Sequence, residues 1–131
     1  MKIRIRDSFP VFLIIVMVST VDAQQTEAYR SQLRPYYEAK ELFERGHYEP
    51  AREGFDTFLA SHTSHYDEFV VNSDYYRALS SMRLFHKDAE FLMEEFVWRH
   101  PESIWYREAI LELGRYNFNR RDYDDALRWF E

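Results

Sequence analysis

Gly46-His47-Tyr48-Glu49-Pro50-Ala51, with Phe55 four residues on, and Arg121-Asp122-Tyr123-Asp124-Asp125-Ala126, with Phe130 four residues on, are two copies of one pattern. Each is a turn, then Tyr, then a small residue, then an aromatic one helical turn further. A fainter copy lies between them, where Ala89 is followed by Met93 and Phe96. The three alanines stand 38 and 37 residues apart, the spacing of stacked helical hairpins. The chain therefore reads as all-α, an α-solenoid of about three antiparallel hairpins with the last one truncated.

Punctuation places the helices. Pro35 suits a first helical turn, and Tyr36, Tyr37, Ala39, Leu42 and Phe43 follow at three- and four-residue spacing until Gly46, a left-handed stop. Pro50 fits only an opening turn because it lacks an N–H, so a second helix begins close to it and carries Ala51, Phe55 and Phe58 on one stripe. The next hairpin is expected over about Asp67 to Leu84 and His86 to Arg99. A third starts near Glu102 or Ser103, turns at Arg120-Arg121 and restarts behind Asp122, a good N-cap residue. The repeats thus occupy about 35–62, 67–100 and 102–131.

Two antiparallel helices approach closely where small side chains meet at their crossing. Ala51, Ala89 and Ala126 supply these on the second helix of each hairpin, and Ala39, Ala78 and Gly114 are expected to face them. The residues one turn later, Phe55, Met93 and Phe130, then fill the space between neighbouring hairpins.

Residues 1–23 differ from the rest. Lys2, Arg4 and Arg6 precede an unbroken apolar run, Val11 to Val18, and Val21-Asp22-Ala23 offers a cleavage site before Gln24. This is the layout of a secretory signal peptide, followed by a lead-in over 24–34. The run is much shorter than the roughly 20 residues of a spanning helix, so no stable membrane span is expected after cleavage. The chain has no Cys, which excludes disulfides, thiol catalysis, zinc thiolates and a lipidated N-terminal Cys. Without residues 1–23 it carries 14 Lys and Arg against 21 Asp and Glu, a net charge of −7. Such a surface repels phosphate backbones, and nucleic acid is not an expected partner.

The same residues carry a family resemblance. Leu113-Gly114, the turn Arg121-Asp122-Tyr123-Asp124-Asp125-Ala126 and Phe130 resemble the tetratricopeptide repeat, as do Gly46-His47-Tyr48-Glu49-Pro50-Ala51 and Phe55. The middle copy keeps Ala89, Phe96 and Pro101 but has His86 where the family has its turn Tyr, and Ile110 and Asn117 replace the usual Trp and Tyr of the third. The resemblance spans 35–131. With the apparent signal peptide, it is similar to the periplasmic tetratricopeptide proteins of Gram-negative envelopes. It implies a protein-binding scaffold, exported and periplasmic or outer-membrane associated, whose partners are other envelope proteins or peptides. Binding would use the concave face, here Tyr36, Lys40, Glu44, Tyr75, Arg83, Arg115 and Asn119.

Two other readings are weighed. The apolar end at Trp129 and Phe130 suggests a fragment of a longer protein, acting as a structural or oligomerising N-terminal arm that self-associates. His62 and His65, with Asp67 and Glu68 nearby, raise a remote metal-dependent enzyme. No catalytic residue, cofactor or resident metal is expected: Glu94-Glu95 and Asp124-Asp125 are adjacent on helices and point apart, and no phosphate loop or nucleophile elbow is present.

Overall fold

The computed structural model describes the backbone of residues 9–62, 64 and 67–131, with side chains from residue 27 onward. The described residues are all-α: α1 (Phe9–Glu44), α2 (Tyr48–Ser61), α3 (Glu68–Arg83), α4 (Ala89–Arg99), α5 (Tyr106–Asn119) and α6 (Tyr123–Phe130). The chain divides into two compact units, the second running from Pro35 to Glu131.

In the first unit α1 presents exposed side chains from Glu27 to Gln32, and the Ser31 hydroxyl donates to the Ala28 carbonyl at 2.7 Å. Lys2, Arg4 and Arg6 lie outside the described residues, and of the apolar run only the helical backbone is described. Among the described residues no helix is long and apolar enough to cross a membrane. Pro35 does not open a helix as its chemistry suggests; it sits inside α1. A proline removes one backbone donor and crowds the preceding turn, and the helix nonetheless runs past it.

In the second unit each helix from α2 onward packs on the next along the chain, and α3 also touches α5. Three turns share one geometry. Gly46, Phe85 and Arg121 have φ of 78°, 55° and 68°. In each turn the following residue donates five positions back: His47 to Leu42 O, His86 to Ser81 O and Asp122 to Asn117 O, at 2.9, 3.0 and 2.9 Å. The left-handed residue itself donates three back, to Phe43, Met82 and Phe118. This is the Schellman stop, which satisfies carbonyls the helix end would otherwise leave unpaired. Only Gly46 announces it in sequence.

Since a side chain in the left-handed region costs roughly 1–2 kcal/mol and glycine's extra unfolded-state freedom cancels part of that gain, Arg121→Gly should stabilise the exposed third turn by about 0.5 kcal/mol. Gly46→Ala should destabilise the first by about 1 kcal/mol. Urea midpoints moving in the same direction for both would contradict the shared geometry.

Pro50 lies in the first turn of α2. Asp67 caps α3, its carboxylate accepting from Phe69 N at 2.8 Å. Asp122 precedes α6 but makes no capping hydrogen bond, its carboxylate facing Arg120 Nε at 3.6 Å. Two helices start later than the pattern suggests. His86 to Asp88 form a further turn before α4, and the Ser103 hydroxyl accepts from Trp105 N at 3.1 Å, holding a turn where α5 would otherwise begin.

The core is aromatic. Phe55 and Phe58 of α2 are fully buried against Tyr36 of α1, and Phe55 stacks on Tyr76 of α3 with centroids 5.8 Å apart. Tyr75 lies parallel to Trp105 at 4.8 Å, and the indole N–H donates to Asn72 at 2.6 Å. Ala39, Ala51, Ala78, Ala89, Met93 and Ala126 are all buried.

Two close approaches are not among the expected pairs. At α1/α2 the close approach is at Gly54, where a Cβ would stand 2.8 Å from Ala39 Cβ. Gly114 on α5 is covered by the Phe130 ring of α6, and Phe130 itself is half exposed rather than buried.

A candidate partner-docking groove

On α5, residues 112, 115, 116 and 119 share one face because they are spaced by three and four. Glu112, Arg115, Tyr116 and Asn119 from this face, Met82 and Arg83 from the end of α3, Phe85 from the left-handed turn, Phe118, and Phe130 from α6 line a groove of about 630 Å³. Phe85 lies nearly parallel to Tyr116, with centroids 5.9 Å apart.

Glu112 sits at the base, only 7% exposed. Arg83 Nη2 donates to its Oε1 at 3.3 Å and Arg115 Nη1 to the same oxygen at 3.1 Å, Arg115 also reaching Glu108 at 3.4 Å. Two guanidinium groups from two helices therefore converge on one carboxylate oxygen. Both arginine side chains remain about half exposed. A guanidinium carries five N–H donors, so each has donors to present to a further acceptor. With Glu108 pairing at the edge and Glu112 at the base, two carboxylates balance the two guanidinium groups, and what the groove offers is unused N–H donors rather than net charge.

Of the seven residues expected to contact a partner, Arg83, Arg115 and Asn119 are brought together here. Tyr36 and Tyr75 are not on a binding face: they are 6% and 2% exposed, and burial raises both phenol pKa values above the ordinary range. Their helices turn these positions toward neighbouring helices, so they build the core. Lys40 and Glu44 pair with each other one turn apart on α1, and Lys40 Nζ lies 4.6 Å from the centre of the Tyr76 ring. Burial lowers the Lys40 pKa, but the Glu44 hydrogen bond and the Tyr76 phenol outweigh it, leaving it raised. Neither residue lines the groove.

Phe85, Tyr116 and Phe118 are groove residues that the sequence pattern did not single out. Phe85 lies just past α3 in the left-handed turn and is exposed there, whereas Tyr116 and Phe118 lie within α5 and no turn signal marks them.

A second polar cluster lies across α2, α3 and the end of α4. Asp74, 6% exposed, accepts from Arg77 at 3.0 Å and meets His100 Nε2, itself 1% exposed, at 3.3 Å. Arg77 reaches Asp56 at 3.5 Å, Asp56 pairs with Arg52, and Arg99 pairs with Glu95. The charges pair with one another and tie the helices together, while Arg52 Nε and Arg77 Nε are buried without a hydrogen-bond partner among the described residues. Removing one member would leave partly buried charges without partners, the situation in which such networks become destabilising.

His62 stacks on Phe58 at 4.0 Å, with Nδ1 3.0 Å from the Phe58 carbonyl oxygen. His65 lies outside the described residues. Among the described residues no group of three or more His, Cys, Asp or Glu side chains is arranged to share a metal ion. No protein-family model, no curated protein and no solved structure matches the chain.

Proposed function

We propose that residues 35–131 are a short solenoid of tetratricopeptide-like hairpins acting as a protein-binding scaffold of a bacterial cell envelope. On this reading residues 1–23 are a signal peptide and the protein works in the periplasm or at the outer membrane. The repeated stop at Gly46, Phe85 and Arg121, and the buried small residues Ala51, Ala89 and Ala126, support the repeat reading. The observation that carries the function is the meeting of Arg83, Arg115 and Asn119 in one aromatic-walled groove. Aromatic and arginine side chains around a concavity are the composition from which binding hot spots are made. The unused donors of the two guanidinium groups, set beside aromatic walls, favour a peptide segment with an apolar side chain beside a carboxylate.

Affinity enrichment from envelope extract tests this. The unmodified protein should recover a defined partner, Arg83→Glu/Arg115→Glu should lose it by at least about tenfold, and Lys40→Ala should retain it. Recovery unaffected by the double charge reversal would place docking elsewhere. Self-association is a second reading, favoured by Tyr123, Leu127 and Phe130, each at least half exposed on α6. Sedimentation showing a concentration-independent monomer would remove it.

A further inference from the structure

We infer that Gly114 and Phe130 together set the width of this groove, making position 114 a specificity-determining position for the apolar group it admits. The inference rests on the reading of the groove as a docking site for an apolar side chain beside a carboxylate. Phe130 reaches from α6 across to α5 and lies directly on the backbone of Gly114. A Cβ at 114 would stand 2.5 Å from its Cζ and 2.9 Å from its Cδ1, with Cε1 nearer still. The ring occupies this position because residue 114 has no side chain.

What yields when a side chain is added decides the outcome. The obstructing atoms are the far end of a ring on two rotatable bonds, in a residue half exposed to solvent. The ring can swing aside while α5 and α6 stay packed along the rest of α6, where Ala126 is buried. At Gly54, by contrast, the obstacle is the Cβ of Ala39, which moves only with its helix. The same Phe130 ring is one wall of the groove that Tyr116 and Phe118 also line. A methyl group at 114 is therefore converted into a displaced wall, and an apolar group in the groove loses its contact on that side.

The test uses the full chain and 1-anilinonaphthalene-8-sulfonate, an aromatic ring system bearing an anion, followed by fluorescence titration. One equivalent should bind the unmodified protein, and Arg83→Gln/Arg115→Gln should weaken binding about tenfold. Gly114→Ala should weaken it to a similar degree with an almost unchanged urea midpoint, and Gly114→Ala/Phe130→Leu, whose shorter side chain clears the new Cβ, should recover to within about threefold of the original affinity. Proton NMR gives an independent readout: the Overhauser contact between the α-proton of residue 114 and the Phe130 ring should be present in the unmodified protein and lost in Gly114→Ala. Retention of that contact, or unchanged probe affinity in Gly114→Ala, overturns the inference. Absent probe binding, or binding insensitive to the arginine substitutions, overturns the groove reading and the wall with it. Failure confined to the residue 114 variants leaves the groove reading standing.

Discussion

Phe55→Ala is expected to lower the unfolding free energy by about 3–5 kcal/mol, the range for truncating a fully buried aromatic. Phe55 is 0% exposed and lies between Tyr36 of α1, at 6.2 Å, and Tyr76 of α3, at 5.8 Å. The loss has two parts, the transfer energy of the ring and the void that remains. The void cannot close readily, because Tyr36 is packed on Phe58 and Phe69, and Tyr76 on Phe43 and Tyr75. A domain of this size has only about 5–15 kcal/mol of stability in total, so the variant should be largely unfolded in moderate urea. Phe91, on α4 and 64% exposed, is the control: Phe91→Ala should stay within about 0.5 kcal/mol. Urea unfolding followed by far-ultraviolet circular dichroism separates the two, and equal midpoints would mean that α2 is not the centre of the core.

Gly54→Leu is the second large effect, with an expected loss of about 1–3 kcal/mol. Two terms oppose each other. Glycine inside a helix costs about 1 kcal/mol relative to alanine, so any side chain at 54 gains on propensity. Against this, even a Cβ would lie 2.8 Å from Ala39 Cβ and 3.4 Å from Ala39 Cα, and both atoms are carried rigidly by α1. For Gly54→Ala the terms nearly cancel. For leucine the extra volume forces α1 and α2 apart, and packing loss wins. The discriminating measurement is a double-mutant cycle: Ala39→Gly should cost stability in the unmodified protein and less in a Gly54→Ala background, giving a coupling energy of at least about 0.5 kcal/mol. Additive effects would show that the helices do not meet at this pair.

Much of the architecture was legible because its determinants are local. Gly46 adopts the left-handed conformation its chemistry favours, Pro50 lies in an opening turn, and α3 begins beside Asp67, whereas Asp122, expected as a cap, makes no capping hydrogen bond. Each involves interactions within about five residues. The shortfalls are also physical. Phe85 and Arg121 adopt the conformation glycine would, where the two backbone hydrogen bonds of the stop offset part of a cost of about one or two kcal/mol. Gly54 was overlooked as a crossing residue because periodicity points to Ala51, which is indeed buried, whereas the line of closest approach depends on how α1 and α2 are inclined. In the groove, Arg83, Arg115 and Asn119 were legible as residues of successive first helices. Tyr36 and Tyr75 were misplaced because a tyrosine suits both a core and a binding face, and only the position of the adjoining helix decides which.

By itself the sequence determined that this protein is all-helical, where its helices stop, and that small and aromatic residues recur at a fixed period, because propensity, capping and periodicity are encoded by near neighbours. The tertiary structure alone decided that Asp74 and His100 pair in the interior, that Phe130 lies on Gly114, and that two arginines from α3 and α5 meet at Glu112. These depend on which helix faces come together across 16 to 29 residues of chain, where burial and geometry, not local preference, set the outcome.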